Sequence, residues 1–125
     1  MQFLSFPAIS VQSLKNLYQP HGVNVDVLRL DQIHPLVSGN KWFKLKEYVK
    51  QAQEQQKRGL LTFGGAYSNH IVATAAAAKE LDLKAIGVIR GERSQQLSPT
   101  LQEAGALGMD LYFVSRESYQ YYGWL

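Results

Sequence analysis

The 125-residue sequence predicts an α/β fold, a three-layer arrangement in which a parallel sheet is built from βαβ crossovers. Three observations predict it. Leu60–Phe63, Lys84–Arg90 and Asp110–Ser115 are short apolar runs of the kind that form strands buried on both faces. Segments of helical character separate them, from Ser68 to about Leu81 and over Thr100–Leu107. Glycines punctuate the changes, with Gly64-Gly65 and Gly91 after strands and Gly108 after the second helix.

The elements follow in order. Met1 to about Ile33 is turn-rich, broken by Pro7, Pro20, Gly22 and Asn24. Within it Val23–Leu30 alternates Val23, Val25 and Val27 before Leu28 and Leu30, which predicts a strand with one irregularity. Asp31–Asn40 reads as a loop containing Pro35 and Gly39. From Lys41 the apolar positions Trp42, Leu45, Tyr48, Val49 and Ala52 recur every three or four residues, predicting a helix that stops near Gly59. Ser68 is the expected N-cap of the next helix, and its alanines, Ala73 and Ala75–Ala78, suit close helix–sheet packing. Arg116 begins a segment that reads as another helix and carries Tyr119, Tyr121, Tyr122 and Trp124. So many aromatics beside an end, and a parallel sheet with two crossovers to cover it, lead us to expect a truncated chain.

Composition removes several classes of function. Apolar residues at 46% are too many for a disordered chain. The absence of cysteine excludes disulfide scaffolds, zinc ribbons, iron–sulfur clusters and thiol catalysis. A net charge of +3 with scattered lysines, densest at Lys41, Lys44, Lys46 and Lys50, lacks the basic stripe of a nucleic-acid binder. No secretory signal opens the sequence, and no apolar run approaches the roughly eighteen residues of a membrane span. A soluble, cytoplasmic protein is expected. His21, His34 and His70 show no metal-ligand spacing and read as loop or surface histidines, so no metal is expected. Neither G-x-G-x-x-G, a P-loop nor G-x-S-x-G is present.

Two constellations could carry chemistry. In Ser38-Gly39-Asn40-Lys41 a lysine enters the first turn of a helix, an unfavourable place for an ammonium group. Such a lysine either turns away or is used, for example as the amine of Schiff-base chemistry. Taken alone, the motif describes a solvated loop lysine better than a catalytic one, because loop lysines are abundant. The second, Thr62 to His70 (TFGGAYSNH), lies where a parallel strand turns into a helix, the edge at which open α/β sheets bind ligands. Paired glycines let backbone approach a ligand, and helix-start N–H groups favour an anion. A glycine turn with a serine cap accounts for the same residues.

In this order the motifs resemble one family. S-G-N-K followed by K-L-x-x-Y, then G-G-x-x-S-N-H opening an alanine-rich helix, then I-G-V-I-R-G, is similar to the pyridoxal-phosphate enzymes of the 1-aminocyclopropane-1-carboxylate deaminase/D-cysteine desulfhydrase family, of tryptophan-synthase-β-like fold (fold type II). The likeness runs from about Val11 to Ser115. It implies pyridoxal 5'-phosphate as cofactor and a small amino acid as substrate. By the same resemblance Lys41 forms the internal aldimine and later moves the α-proton, Asn69 bonds the cofactor's phenolic oxygen, and Asn40 orients the lysine turn. Ser68, with Asn69 and His70, is placed at the substrate, Ser68 with a catalytic role. Residues 1–51 would belong to a large domain and 52–125 to most of a small one, in a homodimeric parent.

Relatives are more than twice as long, and the resemblance puts the cofactor's phosphate loop in the part absent here. Arginine is common in the family where this chain has Phe43, and glutamine where it has Tyr67. Two other readings stand beside the lyase or deaminase: a catalytically inactive truncated product or isolated small domain, and a flavodoxin-like binding module. The last requires a self-sufficient sheet.

Overall fold

Eight consecutive residues of one helix, Ile71–Ala78, are buried, and the other elements are arranged around them. The computed structural model describes residues 8–15, 21–37 and 39–122; Pro7, Pro20, Ser38 and Trp124 lie outside these. Strands β1 (Val11–Ser13) and β2 (Asp26–Leu28) are followed by a 3-10 turn (Leu30–Gln32) and helix α1 (Asn40–Glu54). Then come β3 (Gly59–Gly64), α2 (Asn69–Glu80), β4 (Lys84–Arg90), α3 (Pro99–Ala106), β5 (Met109–Val114) and α4 (Arg116–Tyr122).

β3, β4 and β5 form one parallel sheet in chain order, with Leu61 opposite Ile86 and Ile86 opposite Asp110. Crossovers of one hand between strands in sequential order put both connecting helices on one face. The packing agrees: Ile71, Val72, Ala75 and Ala78 of α2 share a core with Leu101 and Ala104 of α3 and with Ala85, Ile89 and Met109 of the sheet. On its outer side α2 meets α1, where Ala73, Ala76 and Ala77 receive Val37, Trp42, Leu45 and Val49. The alanines have no side chain beyond Cβ, so both neighbours come close without leaving a void.

The sheet's second face carries Leu61, Phe63 and Tyr112, which are 57%, 37% and 58% exposed. Helix α4 begins to cover it. Tyr119 meets Phe63 edge-on at 6.3 Å, and the Arg90 guanidinium lies over the Tyr119 ring at 5.8 Å.

Several boundaries differ from the sequence expectation. The strand expected over Val23–Leu30 shortens to Asp26–Leu28 and pairs antiparallel with Val11–Ser13, apart from the main sheet. All six hairpin residues are exposed, so the alternating valines do not line a core. Leu30 leaves the strand for the 3-10 turn, and its carbonyl accepts the Gly39 N–H at 2.7 Å. Helix α1 stops at Glu54 and not near Gly59. The chain reverses at Gln56 (φ +54°), with Gln56 N–H donating to the Gln53 carbonyl and Lys57 N–H to the Ala52 carbonyl at 2.8 Å. This is a Schellman motif with glutamine at the left-handed position that glycine usually takes. Gly59 instead opens β3, where a Cβ would lie 2.9 Å from the Lys84 carbonyl oxygen. Ser98 caps α3 by accepting the Leu101 N–H, with Pro99 at the first helical position, one residue before the expected start. The remaining helices and strands fall within a residue of expectation.

Among the described residues no helix is long and apolar enough to cross a membrane. At Gly64 an added Cβ would meet Ile71 Cγ1 at 2.8 Å and Cδ1 at 2.9 Å. Ile71 is fully buried and has little room to move. Gly64→Ala is therefore predicted to destabilise the fold by about 1–3 kcal/mol, as overpacking does. Urea unfolding followed by circular dichroism measures this; an unchanged midpoint would mean that Ile71 gives way freely.

Candidate functional site

Two turns deliver the candidate residues, each ending at a helix N-terminus. The first leads into α1. His34 Nδ1 accepts the backbone N–H groups of Leu36 and Val37 at 3.1 and 3.0 Å, and His34 Nε2 lies 2.9 Å from Glu80 Oε2. Val37, wholly buried, anchors the segment against the alanines of α2. Gly39 then adopts φ +62° and ψ −144°, which a side chain disfavours, and α1 starts at Asn40. Among the described residues no side chain caps that start.

The second turn leaves β3 at Gly64. Ser68 N–H donates to the Gly65 carbonyl, and the Ser68 carbonyl accepts the Ile71 N–H, so Ser68 holds the N-cap position as expected. Its hydroxyl does not cap the helix. It turns back toward Gly64, 3.0 Å from where a Cβ would stand there.

Asn40, Lys41 and Asn69 line one cleft of about 520 Å³. Pro35 and Leu36 form one wall, Val72 and Ala73 of α2 another, and Thr100 and Glu103 of α3 the far side. An amine and two amides from turns distant in sequence thus meet against an apolar wall. Ser68 and His70 do not line this cleft. His70 faces a second hollow of about 800 Å³, between α1 and β3, with Lys44, Tyr48, Thr62 and Thr74. The second hollow is larger, but we place the candidate site at the first, because there the amine and both amides converge. The pKa of His70 is lowered by burial first and then by the charges of Lys41, which lines the cleft, and Lys44, which lines the hollow.

Phe43 and Tyr67 both lie near these turns. Phe43 is edge-on to Trp42 at 5.1 Å, and Tyr67 is 78% exposed. Among the described residues no three His, Asp or Glu side chains come together as a metal site requires. His34 lies in a loop, as expected, but the sequence reading did not foresee that it is half-buried and bonded through both ring nitrogens. Its signal was the His-Pro pair followed by two apolar residues, an opening that suits a side-chain-to-backbone turn.

No family model matches the chain. Individual proteins do. A Thermotoga maritima protein provisionally named 1-aminocyclopropane-1-carboxylate deaminase is 35% identical over 118 residues, covering 94% of this chain and 37% of that one. A Pyrococcus abyssi protein of the same provisional name is 37% identical over 82 residues, 66% of this chain and 25% of its own length. The mitochondrial bifunctional D-cysteine desulfhydrase/1-aminocyclopropane-1-carboxylate deaminase of Arabidopsis thaliana is 29% identical over 109 residues, 83% of this chain and 27% of that protein. Among solved structures, an ACC deaminase homologue superposes with a TM-score of 0.67 at 28% identity, over 89% of this chain and 36% of that one. O-ureido-L-serine synthase, at 17% identity, shares the fold with a TM-score of 0.66 over 99% of this chain and 42% of its own. The chain spans about a quarter to two-fifths of the length of the proteins it matches. With the motifs, the parallel sheet and these likenesses in agreement, the chain belongs to the 1-aminocyclopropane-1-carboxylate deaminase/D-cysteine desulfhydrase family, as a partial match to its members.

Proposed function

We propose that this chain is the lysine-bearing part of a pyridoxal-phosphate-dependent lyase or deaminase acting on a small amino acid, of the D-cysteine desulfhydrase or 1-aminocyclopropane-1-carboxylate deaminase type. The observation that carries this reading is the meeting of Lys41, Asn40 and Asn69 in one cleft. We assign residues 1–51 to the large domain of the parent and 52–125 to most of its small domain.

The residues present fit the cofactor. The cleft volume lies within the roughly 300–1,000 Å³ usual for small-molecule sites. It offers a primary amine for an aldehyde and amide donors for a ring oxygen, with Val72 and Ala73 among its lining residues. Lys41 would hold the cofactor's aldehyde carbon, Asn69 would donate to its ring oxygen, and Asn40 would orient the lysine turn. Bound pyridoxal phosphate supplies an electron sink for negative charge at the substrate's α-carbon, and the protein supplies position and electrostatics.

The chain's own residues do the rest. Once its amine is free, Lys41 Nζ takes and returns the α-proton as general base and acid. Ser68, Asn69 and His70 are assigned to the substrate, with Ser68 also catalytic. His70 opens on the second hollow, and its pKa, lowered by burial first, spares a third positive charge beside Lys41 and Lys44.

A second reading, that the chain by itself is inactive, is favoured by the apolar second face of the sheet, where Leu61 and Tyr112 are more than half exposed. Borohydride trapping with pyridoxal phosphate, read by peptide mass spectrometry, tests the main reading. Label is expected at Lys41 well above Lys44, Lys46 and Lys50, and lost from that peptide in Lys41→Ala. Asn69→Ala is expected to weaken labelling on the order of tenfold through one lost hydrogen bond. Label spread evenly over the lysines sinks the assignment. Label at Lys41 without turnover of D-cysteine supports the second reading.

The His70 shift gives a pH prediction. Its folded pKa lies below the ordinary 6.5, so on acidification the unfolded chain takes up the proton first. The associated stability is complete above that value and is lost as pH falls through it toward the lowered folded pKa. His70→Gln is expected to reduce the drop in urea midpoint between about pH 7.5 and about pH 5.5. An undiminished drop would remove His70 as its source.

A further inference from the structure

We propose that His34 is a positioning residue for Lys41: it fixes the segment before α1 along helix α2 and so presents the lysine at the cleft, an inference that rests on the role given to Lys41 above. The ring partners define its state. Nδ1 accepts two backbone N–H groups, those of Leu36 and Val37. A nitrogen that accepts carries no proton, so the ring proton is on Nε2 and is donated to the Glu80 carboxylate 2.9 Å away. The imidazole is neutral in this arrangement, and its bond to Glu80 is a charge-assisted hydrogen bond.

Pro35 makes the turn possible. Its ring restricts φ and it offers no N–H, so the first donors after His34 are Leu36 and Val37, both directed back to residue 34. The imidazole nitrogen thereby plays the part that an Asn or Asp oxygen plays in an Asx turn. Without it, two backbone donors next to a wholly buried valine lose their acceptor.

The turn bears on Lys41 through the course of the chain. Glu80 is the last residue of α2 and Asn69 the first, about 17 Å apart at the helical rise. His34 is held at the Glu80 end, Val37 is seated on Ala73, Ala76 and Ala77, and Asn40 and Lys41 share the cleft with Asn69. The segment thus travels the length of α2 between fixed points. Pro35 and Leu36, which belong to the same turn, form a wall of the cleft. Release of His34 loosens that wall and the approach to Lys41 together, while the sheet, whose buried Ala85, Ile89 and Met109 belong to a different core cluster from Val37, stays intact.

The test uses the 125-residue chain and the variants His34→Ala, His34→Asn and Glu80→Gln. Amide hydrogen exchange is measured at Leu36 and Val37, with Ile89 in β4 as the reference. The acetylation rate of Lys41 by an N-hydroxysuccinimide ester is measured against Lys44 and Lys50. In His34→Ala, exchange at Leu36 and Val37 should rise on the order of tenfold while Ile89 stays protected. Lys41 acetylation should rise toward the rate of the exposed Lys50. His34→Asn supplies an oxygen to the same two amides and should restore both readouts, which a merely space-filling histidine would not allow. Glu80→Gln still accepts from Nε2 and should stay close to the parent chain.

Unchanged exchange in His34→Ala overturns the proposal, and so does faster exchange with unaltered Lys41 reactivity. Failure of His34→Asn to restore either readout, with Ile89 protected throughout, also overturns it. Neither measurement involves the cofactor. Absence of selective pyridoxal phosphate labelling at Lys41 in the parent chain therefore counts against the cofactor reading alone, while exchange and acetylation decide the role of His34.

Discussion

The alanine face of α2 is the constraint on which the rest of the structure depends. A helix with Ile71–Ala78 all buried must be covered on every side. Here the sheet and α3 cover one side, and α1 with the segment before it covers the other. Alanine allows this because it has the highest helix propensity and adds only a methyl group between neighbouring layers. Large residues facing α1 would push that helix outward. Lys41 rides on α1 and Asn69 on α2, so the separation of the two candidate cofactor residues is set by how closely those helices pack. The spacing of the site is thus a packing quantity, fixed by side chains that take no part in chemistry.

Much of the fold was legible in the sequence because its strands are buried runs and its helices keep a helical period. β4 falls at the expected residues, and α2, α3 and β5 within one. What could not be read was local and contextual. A glutamine at φ +54° ends α1, and a sequence reading that looks for glycine passes over it to Gly59. The hairpin of β1 and β2 is all surface, so alternation there has no buried face behind it. In the site, the resemblance grouped Asn40, Lys41 and Asn69, which do line one cleft, but that Ser68 and His70 do not line it was not legible. That Asn69 shares a cleft with Lys41 while its neighbour His70 opens on another hollow follows from the rotation of about 100° per residue in a helix.

Electrostatics gives the site its character. Lys41 and Lys44 both lie close enough to His70 to oppose its protonation, and Asn40 and Asn69 stand at the N-termini of α1 and α2. Helix starts carry partial positive charge and present backbone N–H groups. Burial and neighbouring cations act on His70 in the same direction, so the imidazole is spared a charge where positive charge already gathers. A region built this way favours an anionic ligand group. Glu103 on the far wall is the acidic counterweight among the cleft residues, and it comes from α3, not from either turn.

The layout separates the demands of the site from those of the sheet's uncovered face. The cleft is made by α1, α2 and α3, which lie on the helical side of the sheet. Leu61, Phe63 and Tyr112 alternate along their strands with residues that face the helices, so they point to the opposite side. Burying them would add stability at about 25 cal/mol per Å² without entering the cleft. Tyr119 and Arg90 already begin that cover over Phe63. It follows that extra cover on the second face acts on Lys41 and Asn69 only through the rigidity of the sheet beneath α2, while the distance between them stays governed by the alanines from the other side.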